Sequence, residues 1–295
     1  MNQPRVGIIG LGIMGMAYAK NLLKAEIEVC GYDIAIERCH ELENHGGIVL
    51  DSIAAMGQAC DVVLVALASV KAQTNSIEAL SKVLGPDHVV CEMGTFSLQQ
   101  KMETQSILAP CRSKVLDCPV SGTGAQAAKG DLSVYVSGDK SAAEIVAPVF
   151  QALARDIRYV GEFGTGTKLK FVANLLVTIH NLAAAESLQL AKSSGLDLSM
   201  VYDAICAGAG TSRMFEVRGP MMVADHYEPA TMTMEVYMKD LQLILDHARD
   251  VNCATPLMSA SLPFYIAGLA QERGHEDTAA LYGILDQLSK PATST

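Results

Sequence analysis

Val6-Gly7-Ile8-Ile9-Gly10-Leu11-Gly12-Ile13-Met14-Gly15 is the stretch whose reading decides the fold. It is a short apolar run, then a GxGxxG string, then the opening of a helically spaced segment that continues from Met14 to Ala25. In a strand–turn–helix of this kind each glycine has its own task. Gly10 permits the tight turn, Gly12 lets a pyrophosphate approach the backbone, and Gly15 lets helix and strand pack closely. The helix N-terminus then faces the anion with open N–H groups. A GxGxxG string alone is weak, because glycine turns are common. Here the next apolar run, Glu28-Val29-Cys30-Gly31-Tyr32-Asp33, ends on an acid 18 residues after Gly15. A carboxylate in that place accepts from both ribose hydroxyls of an adenosine and repels a 2′-phosphate. No Arg follows until Arg38. The candidate cofactor residues are therefore Gly10, Leu11, Gly12, Ile13, Met14, Gly15 and Asp33, and the expected cofactor is NAD in preference to NADP.

Outward from this stretch the pattern repeats. Ile34 to Gly46 is amphipathic and helix-like, and Asp61-Val62-Val63-Leu64-Val65-Ala66-Leu67 and His88-Val89-Val90-Cys91-Glu92-Met93 are apolar on both faces. Continuous apolar strands alternating with helices predict a parallel sheet covered on both sides. Val115–Asp117, Leu132–Ser137 and Ile157–Val160 add further strands. At Gly161-Glu162-Phe163-Gly164-Thr165-Gly166 the texture changes, and no strand pattern appears from there to Gln287. A long helix is predicted over Thr167–Ser194, stopped by Gly195. Others follow around 198–208, 211–223, 233–250, 255–272 and 276–288. The expected architecture is an α/β Rossmann-type doubly wound sheet over residues 1–162, then an all-α domain over 163–295 that begins with a long interdomain helix. A helix of about 28 residues spans roughly 42 Å, long enough to form a spine. The tail Ala292–Thr295 is expected to fray.

Composition narrows the function classes. The 295 residues are 50% hydrophobic and 18% charged, with 22 basic and 32 acidic side chains and a net charge of −10. That is too apolar for a disordered chain, and it lacks the basic face a nucleic-acid or anionic-membrane partner needs. The seven His form no HxxxH pair or metal-ligand cluster, so no metal is expected. The eight Cys include no CxxC pair and read as reduced, mostly buried thiols. The first residues lack the n-region, h-region and cleavage site of a signal peptide. The apolar stretch Phe171–Ala185 is interrupted by Asn174, His180 and Asn181, and reads as too short and too polar to span a bilayer. A soluble, cytoplasmic protein is expected.

Three further segments bear on chemistry. Leu67-Ala68-Ser69 and Met93-Gly94-Thr95 follow strands, at the carboxyl ends where open α/β sheets bind ligands. They read either as contacts of the nicotinamide half, with Leu67, Ala68 and Thr95 foremost, or as plain turns. Asp117-Cys118-Pro119-Val120-Ser121-Gly122-Thr123-Gly124-Ala125 is a turn-forming segment. Its N–H groups and the Ser121 hydroxyl suit a substrate carboxylate, and a structural loop is the other reading. Lys170 and Asn174, four apart on the predicted long helix, share a face of a strongly apolar segment. They read either as a snorkelling Lys with a solvated Asn, or as a proton-exchanging Lys with an Asn that orients the substrate. A free Lys titrates near about 10.4, and burial lowers that toward working pH.

Together these residues resemble the β-hydroxyacid dehydrogenase family, the group containing 3-hydroxyisobutyrate dehydrogenase and tartronate semialdehyde reductase. The resemblance runs from Val6 to about Leu288. Gly10–Gly15 matches the family's cofactor turn, including its Met14. Asp117-Cys118-Pro119-Val120-Ser121-Gly122 is similar to its substrate loop, and Gly164-Thr165-Gly166-Thr167-Lys168-Leu169-Lys170-Phe171-Val172-Ala173-Asn174 to its catalytic segment. Lys239-Asp240-Leu241 is similar to a Lys-Asp-Leu motif that closes over cofactor and substrate. The resemblance implies an NAD-dependent enzyme acting on a small 3-hydroxy acid or the matching semialdehyde or keto acid. Lys170 is implied as its general acid–base, with Ser121, Gly122, Thr123 and Asn174 on the substrate and Lys239 on the cofactor side. It also implies a homodimer or homotetramer. The family's Ser-Gly-Gly reads Ser121-Gly122-Thr123 here, its Leu-Pro reads Leu67-Ala68, and its doubled Asn reads Ala173-Asn174. The rival readings are a non-catalytic, cofactor-gated interaction module of the same fold and an imine reductase-like enzyme.

Overall fold

The computed structural model of the chain describes residues 4–289; Met1–Gln3 and the tail Ala292–Thr295 lie outside the described residues. The chain packs as two compact units, Met1–Lys170 and Phe171–Thr295. The first unit is built on nine strands. In chain order they are β1 (Val6–Ile9), β2 (Val29–Tyr32), β3 (Ile48–Val49), β4 (Val62–Val65), β5 (Val89–Glu92), β6 (Lys114–Asp117), β7 (Val120–Ser121), β8 (Leu132–Gly138) and β9 (Ala154–Gly161). The sheet order is β3-β2-β1-β4-β5-β6-β8-β7, with β9 paired to β8. The first six strands are all parallel. This is the Rossmann-type doubly wound order, whose direction of winding reverses between β1 and β4.

The reason for the order is visible strand by strand. All four residues of β1, β4 and β5 are buried, as strands covered on both faces must be. Alternate residues serve different layers. Ile8, Leu64 and Cys91 pack with Tyr18, Leu22, Val146 and Phe150 on one face. Ile9, Val63, Val65 and Val90 pack with Ile77, Leu80 and Leu108 on the other. Beyond β6 the sheet departs from the all-parallel expectation: β8 runs antiparallel to β6 and to β7, and β9 runs parallel to β8. Strand direction is set by the connections, and β7 has only two residues to announce it.

The ladder continues past the ends of the parallel strands. Gly10 N donates to Tyr32 O (3.0 Å), Ala66 N to Ile9 O (2.8 Å), Met93 N to Val65 O (3.0 Å) and Cys118 N to Glu92 O (2.9 Å). Five strands therefore stop on one line, and the loops carrying Gly10–Ile13, Asp33, Leu67–Ser69, Gly94–Thr95 and Ser121–Thr123 all leave from it or just beyond it.

The second unit is helical. Leu198–Cys206, Arg213–Val223, Met234–Asp250, Pro256–Ala270 and Leu281–Ser289 pack with the greater part of the long helix Thr165–Ser193. Asp197, Ser212 and Thr233 cap three of these helices by accepting from Met200 N, Phe215 N and Val236 N. Gly195, with φ of +73°, follows the end of the long helix. Among the described residues the unit's β-type pairing is an isolated bridge, Thr233 with Asp277. By length and composition alone the long helix is sufficient to cross a membrane, which corrects the reading of 171–185 as too short and too polar. Its packing is that of a core helix: Leu182, Ala185 and Leu188 are buried, and Asn181 Nδ2 donates to Tyr265 Oη (3.2 Å) and Thr278 O (2.8 Å). All eight cysteines are free thiols, five of them buried.

Candidate active site

The glycine turn has the geometry its sequence predicts. Gly10 has φ of +90°, and a Cβ there would lie 2.6 Å from Ala66 O. A Cβ on Gly15 would lie 1.8 Å from Gly10 O, so the turn closes only with glycine at both places. At Gly12 a Cβ would meet nothing within 4 Å. Gly12 caps the helix Ile13–Lys24 with no side chain of its own, which leaves the first N–H groups of that helix beside open space. Leu11 is buried, whereas Ile13 is 73% exposed beside the turn. Met14 is half-buried against the sheet core.

Asp33, at the end of β2, has a fixed carboxylate. Its Oδ2 accepts from Leu11 N (2.6 Å) and its Oδ1 from Ala35 N (2.9 Å). One acid thus ties the β2 end to the glycine turn. The nearby Arg38 is engaged elsewhere, with Nη1 3.0 Å from Glu41 Oε2. On the next loops Leu67 is half-buried, Ala68 is exposed, and Ser69 caps the helix Val70–Leu80 through Ala72 N (3.4 Å). Thr95 is half-buried between Gly94 and the buried Phe96.

The segment after β6 is a strand, a turn and a cap. Ser121 closes β7, and Gly122 takes φ of +143°, where a side chain would strike Leu132. Thr123 has φ of −92° and caps the short helix Gly124–Ala127. Its hydroxyl accepts from Gln126 N (3.4 Å), and Gln126 Oε1 accepts from Thr123 N (3.0 Å). The positive φ of this loop therefore falls on glycine, and the β-branched residue sits where any residue is comfortable.

Behind these loops is a buried charged cluster. Lys101 Nζ lies 3.1 Å from Asp117 Oδ1 and 3.4 Å from Glu92 Oε2, and donates to Gly94 O (2.7 Å). Lys101, Glu92 and Asp117 are all inaccessible to solvent. Glu92 also accepts from Gln73 Nε2 and from Thr104 Oγ1 (3.3 Å). Asp117 Oδ2 accepts from Thr167 N (2.7 Å) and its Oδ1 from Thr167 Oγ1 (2.9 Å), while Ser137 Oγ accepts from Gly166 N (3.0 Å). Burial pushes the Glu92 carboxyl up to about 7, and Asp117 adds to this against the pull of Lys101. Burial draws Lys101 down, but Asp117 and Glu92 outweigh it and hold its ammonium above the ordinary value. A raised carboxyl stabilises the fold below its unfolded pKa and loses that contribution as pH rises through the folded value. Stability is therefore expected to fall between about pH 5 and pH 8 in the native chain and to fall less in Glu92→Gln. Chemical denaturation across that range checks this, and equal slopes in both proteins would contradict it.

Thr167 begins the turn that delivers Lys170, which is buried. Four residues on, in the second unit, Asn174 is buried too. Its Nδ2 donates to Asp240 Oδ2 (2.9 Å), and its carbonyl accepts from Thr178 Oγ1 (2.9 Å) and Tyr237 Oη (3.1 Å). Lys239 Nζ lies 3.7 Å from Asp240 Oδ1. Asp240 thus joins the Lys239 and Asn174 side chains within that unit.

A family model described as the NAD binding domain of 6-phosphogluconate dehydrogenase matches residues 5–161, just over half of the chain. A second, described as NAD-binding of NADP-dependent 3-hydroxyisobutyrate dehydrogenase, matches residues 164–285. The chain belongs to the β-hydroxyacid dehydrogenase family. It is 32% identical to an L-threonate dehydrogenase of Escherichia coli K12, over 98% of this chain and 97% of that one. A solved 3-hydroxyisobutyrate dehydrogenase of Salmonella typhimurium is 30% identical, with a TM-score of 0.84 over 95% of this chain and 99% of that one. That of Mycobacterium tuberculosis with L-serine is 25% identical, with a TM-score of 0.88 over 96% and 99%. The chain is an NAD(P)-dependent hydroxyacid dehydrogenase, an oxidoreductase that moves a hydride between its dinucleotide and a small hydroxy acid.

Sequence reading of this β-hydroxyacid dehydrogenase missed Lys101, Glu92, Ser137 and Thr167. The available signal was two acids, Glu92 and Asp117, ending neighbouring apolar runs; an acid there needs a partner.

Proposed function

We propose that the enzyme is NAD-dependent and oxidises or reduces a small 3-hydroxy acid, with Lys170 as its general acid–base. The observation that carries this is a buried lysine on the helix whose first turn is tied to the end of β6. The nicotinamide supplies the hydride acceptor in oxidation and the donor in reduction. Neutral Lys170 takes the substrate hydroxyl proton in oxidation, and its ammonium returns a proton in reduction. Ser121, Gly122, Thr123 and Asn174 hold the carboxylate. The Gly10–Gly15 backbone, Asp33, Leu67, Ala68, Thr95 and Lys239 hold the cofactor. In this reading residues 1–162 bind the dinucleotide and residues 163–295 serve substrate binding and assembly.

Asp33 supports NAD over NADP. Two backbone N–H bonds fix its carboxylate, and the nearest following arginine is paired with Glu41. A 2′-phosphate there would meet like charge. At least a tenfold preference for NAD(H), about 1.4 kcal/mol, is expected in kcat/KM. Equal or better use of NADPH would overturn the role of Asp33. The relatives point toward polar acids as well as aliphatic ones, so L-threonate and 3-hydroxyisobutyrate head the substrate panel that tests the reaction.

Assembly as a homodimer or homotetramer is part of the same proposal. Val172, Leu176 and Leu190 are exposed along one face of the long helix, which supports a helical contact between copies. The free cysteines support a reducing, cytoplasmic setting.

A further inference from the structure

We propose that Lys101, Asp117 and Thr167 are positioning residues for Lys170, fixing the helix that carries it against the loop that carries Gly94 and Thr95. This rests on the catalytic reading of Lys170 above. The long helix does not cap its own start. Two of its first N–H groups, on Gly166 and Thr167, are satisfied by Ser137 and Asp117 from the sheet. Thr167 adds its hydroxyl to the same carboxylate, so both backbone and side chain of one residue are held. The turn is also tight. A Cβ on Gly166 would lie 2.7 Å from Tyr135 O and 3.0 Å from Asp117 O.

Directional bonds at this place fix more than position. Apolar burial is non-directional and by itself sets no angle about the helix axis. Two bonds from Thr167 to one carboxylate set its rotation about its own axis. Lys170 follows three residues later, one turn along, so its direction is set by that rotation. Lys101 then joins the two halves of the arrangement. The same Nζ reaches Asp117 on the helix side and the Gly94 carbonyl on the cofactor-loop side. Glu92, held by Gln73 and Thr104, keeps the ammonium between them. A cluster that served stability alone has no need to bridge these two loops, and apolar side chains of similar size often serve stability as well or better.

The test uses the full chain with NAD and either L-threonate or 3-hydroxyisobutyrate, whichever the native enzyme oxidises faster. Thr167→Val keeps the shape of the side chain and loses one hydrogen bond; Thr167→Ser keeps the hydroxyl. Both are made in the native background and in Lys170→Ala. Thr167→Val is expected to lower kcat at least about tenfold in the native background, because a misplacement near 1 Å costs up to about 10²-fold. In the Lys170→Ala background it is expected to change kcat less than about twofold, since groups acting as a unit are non-additive. Thr167→Ser is expected to stay within about threefold of native, and NADH affinity to be unchanged in all. Thr167→Ala repeats the comparison if Thr167→Val does not fold. Full kcat in Thr167→Val, or an equal loss in both backgrounds, would overturn the positioning role while leaving Lys170 catalytic. If the native enzyme oxidises neither acid, the comparison uses the 3-hydroxy acid of the wider panel that it oxidises fastest, and if it oxidises none the catalytic reading falls and this proposal with it.

Discussion

Lys170→Ala is expected to retain NADH binding and to lose about 10²–10⁴-fold in turnover. The proposed cofactor residues Gly10–Gly15, Asp33, Leu67, Ala68 and Thr95 lie on the strand-end loops, and Lys239 lies on the helix Met234–Asp250. What the alanine lacks is a group to take the hydroxyl proton. Lys170 is itself shielded from solvent. Water is a poor substitute in such a place. Fluorescence titration with NADH and steady-state turnover on one preparation separate the two effects. Near-normal turnover would remove Lys170 from the mechanism, and loss of NADH binding would assign it a cofactor role.

Lys101→Met is expected to destabilise the fold strongly. Lys101, Glu92 and Asp117 are sealed from solvent, so removing the ammonium leaves two carboxylates buried without their cation. Breaking a buried ion pair from one side costs about 3–5 kcal/mol. For a unit of this size that corresponds to a fall in melting temperature of roughly 6–20 °C. Adding Glu92→Gln is expected to restore part of the loss, because the carboxyl already raised by burial is then replaced by a neutral group. Thermal and denaturant unfolding of the single and double variants decide it. A loss below about 1 kcal/mol would place water or a neutral lysine in the cluster.

Much of the first unit was legible because its signals are local. The strand, glycine turn and helix from Val6 to Ala25, the acid at Asp33 and the apolar runs at 62–65 and 89–92 each declare themselves within a few residues. The two-residue strands β3 and β7 do not, and the antiparallel course of β8 depends on connections that no window of sequence contains. The helical texture after Gly166 was equally plain, since capping residues such as Asp197 and Ser212 mark helix starts directly.

The motifs of the proposed site are local in sequence, and the residues packed against them are not. Lys170 and Asn174 stand out as polar residues in an apolar helix. The partners of Asn174, at Tyr237 and Asp240, lie more than 60 residues away along the chain. Lys101 was hidden for another reason. Its helix, Leu98–Leu108, buries Lys101, Thr104 and Leu108, so the inward face carries a charge and a hydroxyl where a periodicity reading looks for apolar residues. Thr123 shows the converse. The sequence sets it in the proposed substrate loop, and the structure adds that its hydroxyl and N–H are engaged with Gln126.

The central claim is that a buried lysine performs acid–base chemistry on a small 3-hydroxy acid with NAD. The most direct measurement is kcat/KM for a panel of 3-hydroxy acids, their semialdehydes and cyclic imines, with NAD(H) and NADP(H), in the native enzyme and in Lys170→Ala. Turnover of at least one 3-hydroxy acid with NAD preferred at least tenfold, no turnover of imines, and a loss of about 10²–10⁴-fold in Lys170→Ala are expected. Imine reduction without hydroxy acid oxidation, or hydroxy acid turnover that survives the loss of Lys170, would contradict it.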